Sequence, residues 1–207
     1  MPSDPPVFDV GLLSPVTVGA DAIVSDAAVL AALVDVEVAL TRAWGAVGSV
    51  PADVVDAVAA AIADVPVDAA DLARRAVSGG NPVIPLVGDL RAAVAPADRG
   101  WVHRGATSQD IVDTALALVA RRAGEQIDLD LRATARSLAA LARAHRDVPA
   151  AARTLTQHAV PTTLGARFAS WLRGVRAARA DLAAALAALP AQLGGAGTQR
   201  FAGGGTG

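Results

Sequence analysis

The sequence predicts an all-α fold, an elongated bundle of long helices. The chain is 53% hydrophobic but only 3% aromatic, and its apolar residues are mostly Ala, Val and Leu, of which Ala and Leu are strong helix formers. Two stretches with apolar residues every three or four positions are far longer than the mean helix of about 11 to 12 residues. Because such long apolar stripes need partners, we expect the bundle to complete its core by pairing with other copies of the chain.

The composition excludes several kinds of chemistry. All 18 basic residues are Arg, and the 207 residues include no Lys and no Cys, so a lysine Schiff base, a thiol nucleophile, a disulfide and a thiolate metal site are impossible. The net charge of −2 provides no basic surface for nucleic acid or an anionic membrane. Because no signal peptide or membrane-crossing run is visible, we expect a soluble cytoplasmic protein without nucleic-acid or membrane partners.

The helices of the first half are predicted from their caps and from prolines. Ser25 is a good N-cap for an amphipathic helix over 26–47. Pro51 suits the first position of a second helix, and Pro66 ends that helix. A short helix over 68–77 is expected to follow.

The two longest helices are predicted in the second half. Thr107 is followed three residues later by Asp110, which is the spacing of a capping box. Helical periodicity then runs over 111–146, roughly 54 Å at 1.5 Å per residue. After a loop over 150–161, a third strong period predicts a helix over 164–189.

Breaks in this pattern divide the chain into four predicted segments. They are an irregular N-terminal arm over 1–24, an N-terminal helical domain over 25–102, a long-helix bundle region over 103–193 and a Gly-rich tail without fixed structure over 194–207. The shorter helices therefore precede the two long ones.

Uncharged polar residues and histidines concentrate in three stretches where a helix begins or the chain breaks. These are Ser-Gly-Gly-Asn-Pro-Val-Ile-Pro over 78–85, His-Arg-Gly-Ala-Thr-Ser-Gln-Asp over 103–110 and Arg-Thr-Leu-Thr-Gln-His-Ala-Val-Pro-Thr-Thr over 153–163. Backbone N–H groups at a helix start, together with Ser and Thr hydroxyls, can hold a carboxylate without any Lys. The competing interpretations are simple helix capping at 107–110 and a loop histidine, His158, bonded to the backbone.

Together the three stretches resemble blocks of the class II fumarase/aspartase superfamily of homotetrameric lyases. The runs 103–114 and 156–163 resemble two of its blocks. Ser-Asp-x-Ala and Asp-Val-Glu-x-Ala-Leu, within 25–44, are similar to its first core helix. The Gly-Asn-x-x-Ile-Pro-Leu form over 80–86 is most similar to the bacterial 3-carboxy-cis,cis-muconate cycloisomerases within that superfamily.

This resemblance implies the intramolecular addition of a carboxylate oxygen to a double bond, which gives 4-carboxymuconolactone in the β-ketoadipate pathway of protocatechuate degradation. It implies a small polycarboxylate substrate, no metal or organic cofactor, and sites that collect blocks from several subunits of a homo-oligomer, a tetramer in the superfamily. His158 is expected to transfer the proton. The expected substrate-binding residues are Asn81, His103, Arg104, Thr107, Ser108 and Gln157.

Two alternatives remain open. One is an adenylosuccinate lyase of the same superfamily, although those enzymes carry a catalytic histidine in a His-Asp-Val-Val-type segment where this chain has Asn81. The superfamily's third block, a Gly-Ser-Ser-x-Met-Pro-x-Lys-x-Asn-Pro loop with a mobile serine as general base, has no counterpart in a chain with no Lys and one Met. We therefore expect a truncated chain with little turnover by itself. The other alternative is a catalytically inactive remnant that only oligomerises.

Overall fold

The structure is a computed structural model that describes residues 12–13 and 19–194. The described residues form seven α-helices, one short 3-10 helix and one two-stranded hairpin, so the all-α prediction is confirmed. The chain divides into two compact units. The first unit ends at Ala120 and includes the described residues from Pro190 onward, and the second spans Arg121–Leu189. The predicted division into four segments stays a prediction, and its arm and tail lie largely outside the described residues.

Side-chain caps begin two of the five α-helices that lie wholly in the first unit. The helices are α1 Asp21–Val24, α2 Asp26–Ala46, α3 Ala52–Ala63, α4 Ala69–Gly79 and α5 Val83–Ala93. Ser25 Oγ accepts a hydrogen bond from Ala28 N at 3.3 Å, and Asp68 Oδ1 accepts from Ala70 N at 2.8 Å. Helices α2 to α4 follow the predicted order, whereas α1 lies in the segment predicted as an irregular arm.

Helix α5 begins although Pro85 is its third residue. The first N–H groups of a helix have no intrahelical partner, so a proline in the first turn costs no hydrogen bond. Gly80 separates α5 from α4 with a φ of +64°, a left-handed conformation that glycine adopts without strain.

One hydrophobic cluster holds the first unit together. Helix α6 spans Ser108–Ala144, and its first turns pack in this cluster with α2, α3 and α5. The most deeply buried members of the cluster are Ala32, Val58, Ile62, Val83, Leu86, Leu90, Val102, Ile111 and Ala115. The chain segments around the starts of α5 and α6 are therefore anchored in the same core.

The second unit contains the rest of α6, the hairpin of β1 Pro149–Thr154 and β2 Gln157–Thr163, and helix α7 Leu164–Ala187. Both predicted long helices are present. Thr163 caps α7, because its Oγ1 accepts from Ala166 N at 3.1 Å. In the described part of the chain, no helix combines the length and the apolar character needed to cross a membrane.

The loop predicted before α7 is instead an antiparallel hairpin, which corrects the expectation. Arg153 pairs with His158 and Thr154 with Gln157. The tight turn places Thr156 at a φ of +63°, a conformation for which Asn and Gly are the usual signals. Strand β1 reads Pro-Ala-Ala-Ala-Arg-Thr and lacks the β-branched alternation that signals a strand, so the sequence pattern did not reveal it.

An ion-pair network joins α6 to α7 within the second unit. Arg179 Nε donates to Asp128 Oδ1 at 2.8 Å, and Arg132 Nε donates to Asp128 Oδ2 at 2.6 Å. The hydrogen bonds from Arg179 and then from Arg132 hold the pKa of the Asp128 carboxyl below its usual value. Because the pKa of Asp128 is lower in the folded state, the network stabilises the fold at pH values above the unfolded pKa of about 3.9. This stabilisation is lost as the pH falls through the folded-state pKa.

We therefore expect Asp128→Asn to lower the Tm at neutral pH, and the difference from wild type to shrink as the pH falls below about 4. Circular dichroism melts across this pH range measure it. Asp130→Asn, on the same helix, is the matched control, because the Asp130 carboxylate has no ion pair among the described residues. A gap between Asp128→Asn and wild type that does not change with pH would contradict the assigned role.

Candidate active site

The polar stretch 103–110 forms the loop that leads into α6. His103 and Gly105 have φ angles of +60° and +75°, a left-handed region that residues other than glycine seldom adopt. Val102 and Ala106 are buried in the core of the first unit, while Arg104 between them is exposed. The loop is therefore anchored at two points and has an accessible middle.

His103 is paired with a buried carboxylate. Its Nδ1 lies 2.6 Å from Oε1 of Glu37 on α2. The Glu37 side chain is 0% exposed, and that of His103 is 15% exposed. Such a contact orients the imidazole ring and selects its tautomer. Glu37 was not among the residues predicted from the sequence. The sequence feature that could have revealed it is a charged residue on the apolar stripe of α2, four positions after the buried Leu33.

Arg104 lies against two indole rings. Its Cζ is 4.3 Å from the ring centroid of Trp101 and 5.8 Å from that of Trp44, within the range of cation–π contacts. Trp44 Nε1 also donates to the backbone oxygen of Arg104 at 2.9 Å. Among the described residues the guanidinium pairs with no carboxylate, so its donors are available to an anionic ligand.

The start of α6 has half of a capping box. Asp110 Oδ2 accepts from the backbone N of Thr107 at 2.9 Å, and Asp110 is 2% exposed. Thr107 and Ser108 are half-buried, and within the described range their hydroxyls make no hydrogen bond. Capping is therefore performed by Asp110 and the backbone of Thr107, and both hydroxyls remain free for a ligand at the positive end of the helix.

Asn81 lies at the start of α5, in the same unit. Its Oδ1 accepts from Val83 N at 2.8 Å, while its Nδ2 has no hydrogen-bond partner in the described part. Arg91 of α5 donates from Nη2 to the backbone oxygen of Val102 at 3.2 Å, which links α5 to the 103–110 loop. The hydrogen bond to Oδ1 thus orients the Asn81 side chain, and the Nδ2 donor remains without a partner among the described residues.

Gln157 and His158 lie in the second unit, on the exposed β2 strand of the hairpin. No described group hydrogen-bonds to the His158 ring, so the interpretation as a backbone-bonded loop histidine gains no support. The joint action of these two residues with the residues of the first unit stays a prediction.

The first unit therefore contains side-chain donors, on Asn81, Thr107 and Ser108, that make no hydrogen bond among the described residues. Donors of this kind bind carboxylates, and they stabilise the negative charge that moves onto a carboxyl group during elimination or addition. Among the described residues, no group of three or more His, Asp or Glu could hold a metal ion.

The long helices, with polar side chains at the starts of α5 and α6, define an all-α protein. A family model described as "Lyase" (Lyase_1) matches residues 20–206. The chain accordingly belongs to this lyase family, within the fumarase/aspartase superfamily.

Several relatives of known name resemble the chain. The nitrosuccinate lyase of Streptomyces davaonensis is 51% identical over 195 residues, which are 92% of this chain and 41% of that protein. The 3-carboxy-cis,cis-muconate cycloisomerase of Bradyrhizobium diazoefficiens is 42% identical over 160 residues, 76% of this chain and 36% of that protein. The crystal structure of 3-carboxy-cis,cis-muconate lactonizing enzyme from Pseudomonas putida matches with a TM-score of 0.76 and 38% identity, covering 84% of this chain and 40% of that chain. This chain thus spans about two fifths of the length of these relatives.

Proposed function

We propose that the chain forms part of a lyase that removes or adds a group across the carbon–carbon bond next to a carboxylate, in a small di- or tricarboxylate. The observation that carries this proposal is the set of unused donors around the start of α6, from His103 to Ser108, with Asn81 in the same unit. These donors suit a substrate with at least two carboxylates. They also suit the enediolate that forms when a proton leaves the carbon beside one of them.

Nitrosuccinate is the first candidate substrate, because the relative of that name is 51% identical over 92% of this chain. A base removes a proton from C3, and the electron pair forms the C2–C3 double bond. The C2–N bond breaks as this double bond forms, and nitrite leaves with the electron pair of that bond. The carbon product is fumarate, and the proton stays on the base until solvent takes it. In this proposal His158 transfers the proton, and Gln157 helps to bind a carboxylate.

Lactonisation of 3-carboxymuconate, the activity expected from the sequence, is the second candidate. The Gly-Asn-x-x-Ile-Pro-Leu run over 80–86 favours it, as does the likeness to the cycloisomerases. Here a carboxylate oxygen adds to the double bond, and the proton is delivered to the neighbouring carbon. The adenylosuccinate alternative remains open, and release of fumarate from adenylosuccinate would favour it.

The proposed site is assembled from several copies of the chain. The second unit has little core of its own: Gly165 is the buried residue of α7, and Trp171 is 54% exposed. Apolar surface of this kind is typically covered by a partner. Light scattering of the purified chain is expected to give an oligomer, a tetramer as in the superfamily, and a stable monomer would count against this assembly.

A chimeric enzyme tests the proposed reaction. Residues 20–194 of this chain replace the matching segment of the Streptomyces davaonensis nitrosuccinate lyase, and we expect the chimera to release nitrite and fumarate from nitrosuccinate. A second chimera, built with the Bradyrhizobium diazoefficiens cycloisomerase, tests lactonisation of 3-carboxymuconate. Failure of both folded, oligomeric chimeras would contradict the proposal and favour an inactive oligomerising remnant.

The 207-residue chain by itself is expected to bind a polycarboxylate but to turn it over slowly. The reason is that the relatives with named activities are more than twice as long. Rapid product formation by the purified chain would show that the residues between 1 and 207 suffice for catalysis.

A further inference from the structure

We propose that Glu37 is a positioning residue, which holds His103 as the Nδ1–H tautomer and presents its Nε2 to the bound substrate. The identity of the ligand rests on the proposed function, whereas the tautomer of His103 does not depend on it. The two residues are 66 positions apart in the sequence, so only the packing of the 103–110 loop against α2 brings them together.

The chemistry of the two groups indicates the direction of this hydrogen bond. A separation of 2.6 Å between Nδ1 and Oε1 is typical of a short, charge-assisted bond. With Glu37 as a carboxylate, which has no proton to donate, the proton of this bond lies on Nδ1. The other ring nitrogen, Nε2, then carries a lone pair in the neutral ring and a proton in the charged ring. No described group hydrogen-bonds to Nε2, and it is therefore the ring atom left for a ligand.

The cost of burying Glu37 argues against a purely structural role. Its side chain is 0% exposed, and its second oxygen, Oε2, is buried without a hydrogen-bond partner among the described residues. A carboxylate held in this way destabilises a fold unless its remaining bond compensates, and an apolar residue would often serve stability better. The bond to His103 is thus better explained by what it does to the imidazole.

The backbone of His103 is restrained as well. Its φ of +60° is unusual for a residue with a side chain, and the preceding Val102 is fully buried. Arg91 donates to the Val102 oxygen from α5. With backbone and ring both fixed and 15% of the side chain exposed, His103 is placed to meet a ligand in one orientation.

Thr41 provides a matched control. It lies one turn after Glu37 on α2, is 1% exposed, and its Oγ1 is likewise buried with no hydrogen-bond partner in the described part of the chain. It makes no hydrogen bond to His103. Thr41→Val therefore removes a buried polar group from the same helix face without touching the imidazole.

The test is 15N NMR of the histidine rings in the full 207-residue chain. The chain has three histidines, so His145→Gln and His158→Gln assign the signals. In the neutral ring of wild type we expect a protonated Nδ1 and an unprotonated Nε2 for His103. Glu37→Gln places a neutral amide there, which can either accept from the ring or donate to it, so a mixture of both tautomers should replace the single one. Thr41→Val should leave the single tautomer unchanged. A wild-type ring protonated at Nε2 would overturn the proposal, and this measurement does not depend on whether Glu37→Gln folds.

Citrate serves as the ligand probe in a titration of the same proteins. We expect Glu37→Gln to weaken citrate binding about 10- to 100-fold, the range for a bond to a charged group, because a citrate carboxylate can accept only from the protonated Nε2 of the charged ring, whose Nδ1–H is bonded to Glu37. Thr41→Val should have no effect. Unchanged citrate affinity in a folded Glu37→Gln chain that has lost the tautomer would overturn the positioning role. If wild type has the expected tautomer but binds no citrate, the proposed function fails while the orientation of His103 by Glu37 stands.

Discussion

Substitution of His158 by Gln is expected to lower the turnover of the active chimera about 100- to 10,000-fold, the usual contribution of a general acid or base. Glutamine keeps much of the size and polarity of histidine but cannot transfer a proton at neutral pH. The loss should therefore appear in kcat, with KM changed little. The His158 side chain is exposed on the hairpin and makes no hydrogen bond among the described residues, so its substitution should leave the Tm unchanged.

His145→Gln is the matched control for this prediction. His145 follows α6 in the same unit, and its ring lies 5.8 Å from that of Phe168, away from the three polar stretches in sequence. Its substitution should leave kcat unchanged. Equal and small effects of the two substitutions would remove His158 from catalysis, and His103, which is paired with Glu37, would become the leading candidate for the proton transfer.

Gly165→Ala is expected to destabilise the second unit by about 3 kcal/mol, near the upper end for an overpacked site. A Cβ at this position would lie 2.7 Å from the Ala142 oxygen, 2.7 Å from Arg146 Cα and 2.8 Å from the His145 oxygen. All three are backbone atoms, so a change of side-chain rotamer cannot relieve the clash. Gly165 N also donates to the His145 oxygen at 2.9 Å, and this contact would be strained or lost. Denaturant unfolding measures the loss.

Gly174→Ala on the same helix should have the opposite sign. A Cβ there meets no atom within 4 Å, so the substitution should stabilise α7 by about 1 kcal/mol through helix propensity. Equal effects of the two substitutions would mean that α7 does not approach the end of α6 as closely as described.

The helices could be predicted because their signals are local. Ser25 occupies the cap expected for α2, α4 corresponds to the short helix expected over 68–77, and the 37 residues of α6 cover most of the predicted range 111–146. The hairpin could not be predicted, since its Ala-rich first strand and the left-handed Thr156 carry no strand or turn signal. The pairing of its two strands depends on how the rest of the chain folds, which a local sequence pattern does not show.

The positions of the candidate residues in the fold could be predicted in part for the same reason. Asn81, Thr107 and Ser108 belong to segments at helix starts, which sequence patterns reveal. The partner of His103 could not be found by spacing, because Glu37 reaches the loop only through tertiary packing. Gln157 and His158 lie in the other unit, and their joint action with residues of the first unit stays a prediction.

The most direct measurement of the central claim, that the start of α6 binds a polycarboxylate, compares the citrate-induced rise in Tm of wild type and Thr107→Val. Valine removes the hydroxyl but keeps the backbone N–H that donates to Asp110, so the cap of α6 and the Tm without ligand should be preserved. A ligand that binds only the folded state raises its stability with concentration. We predict a clear rise for wild type and the loss of most of it in Thr107→Val. An equal rise in both proteins would contradict the account, and would leave Thr107 as a residue that only caps a helix.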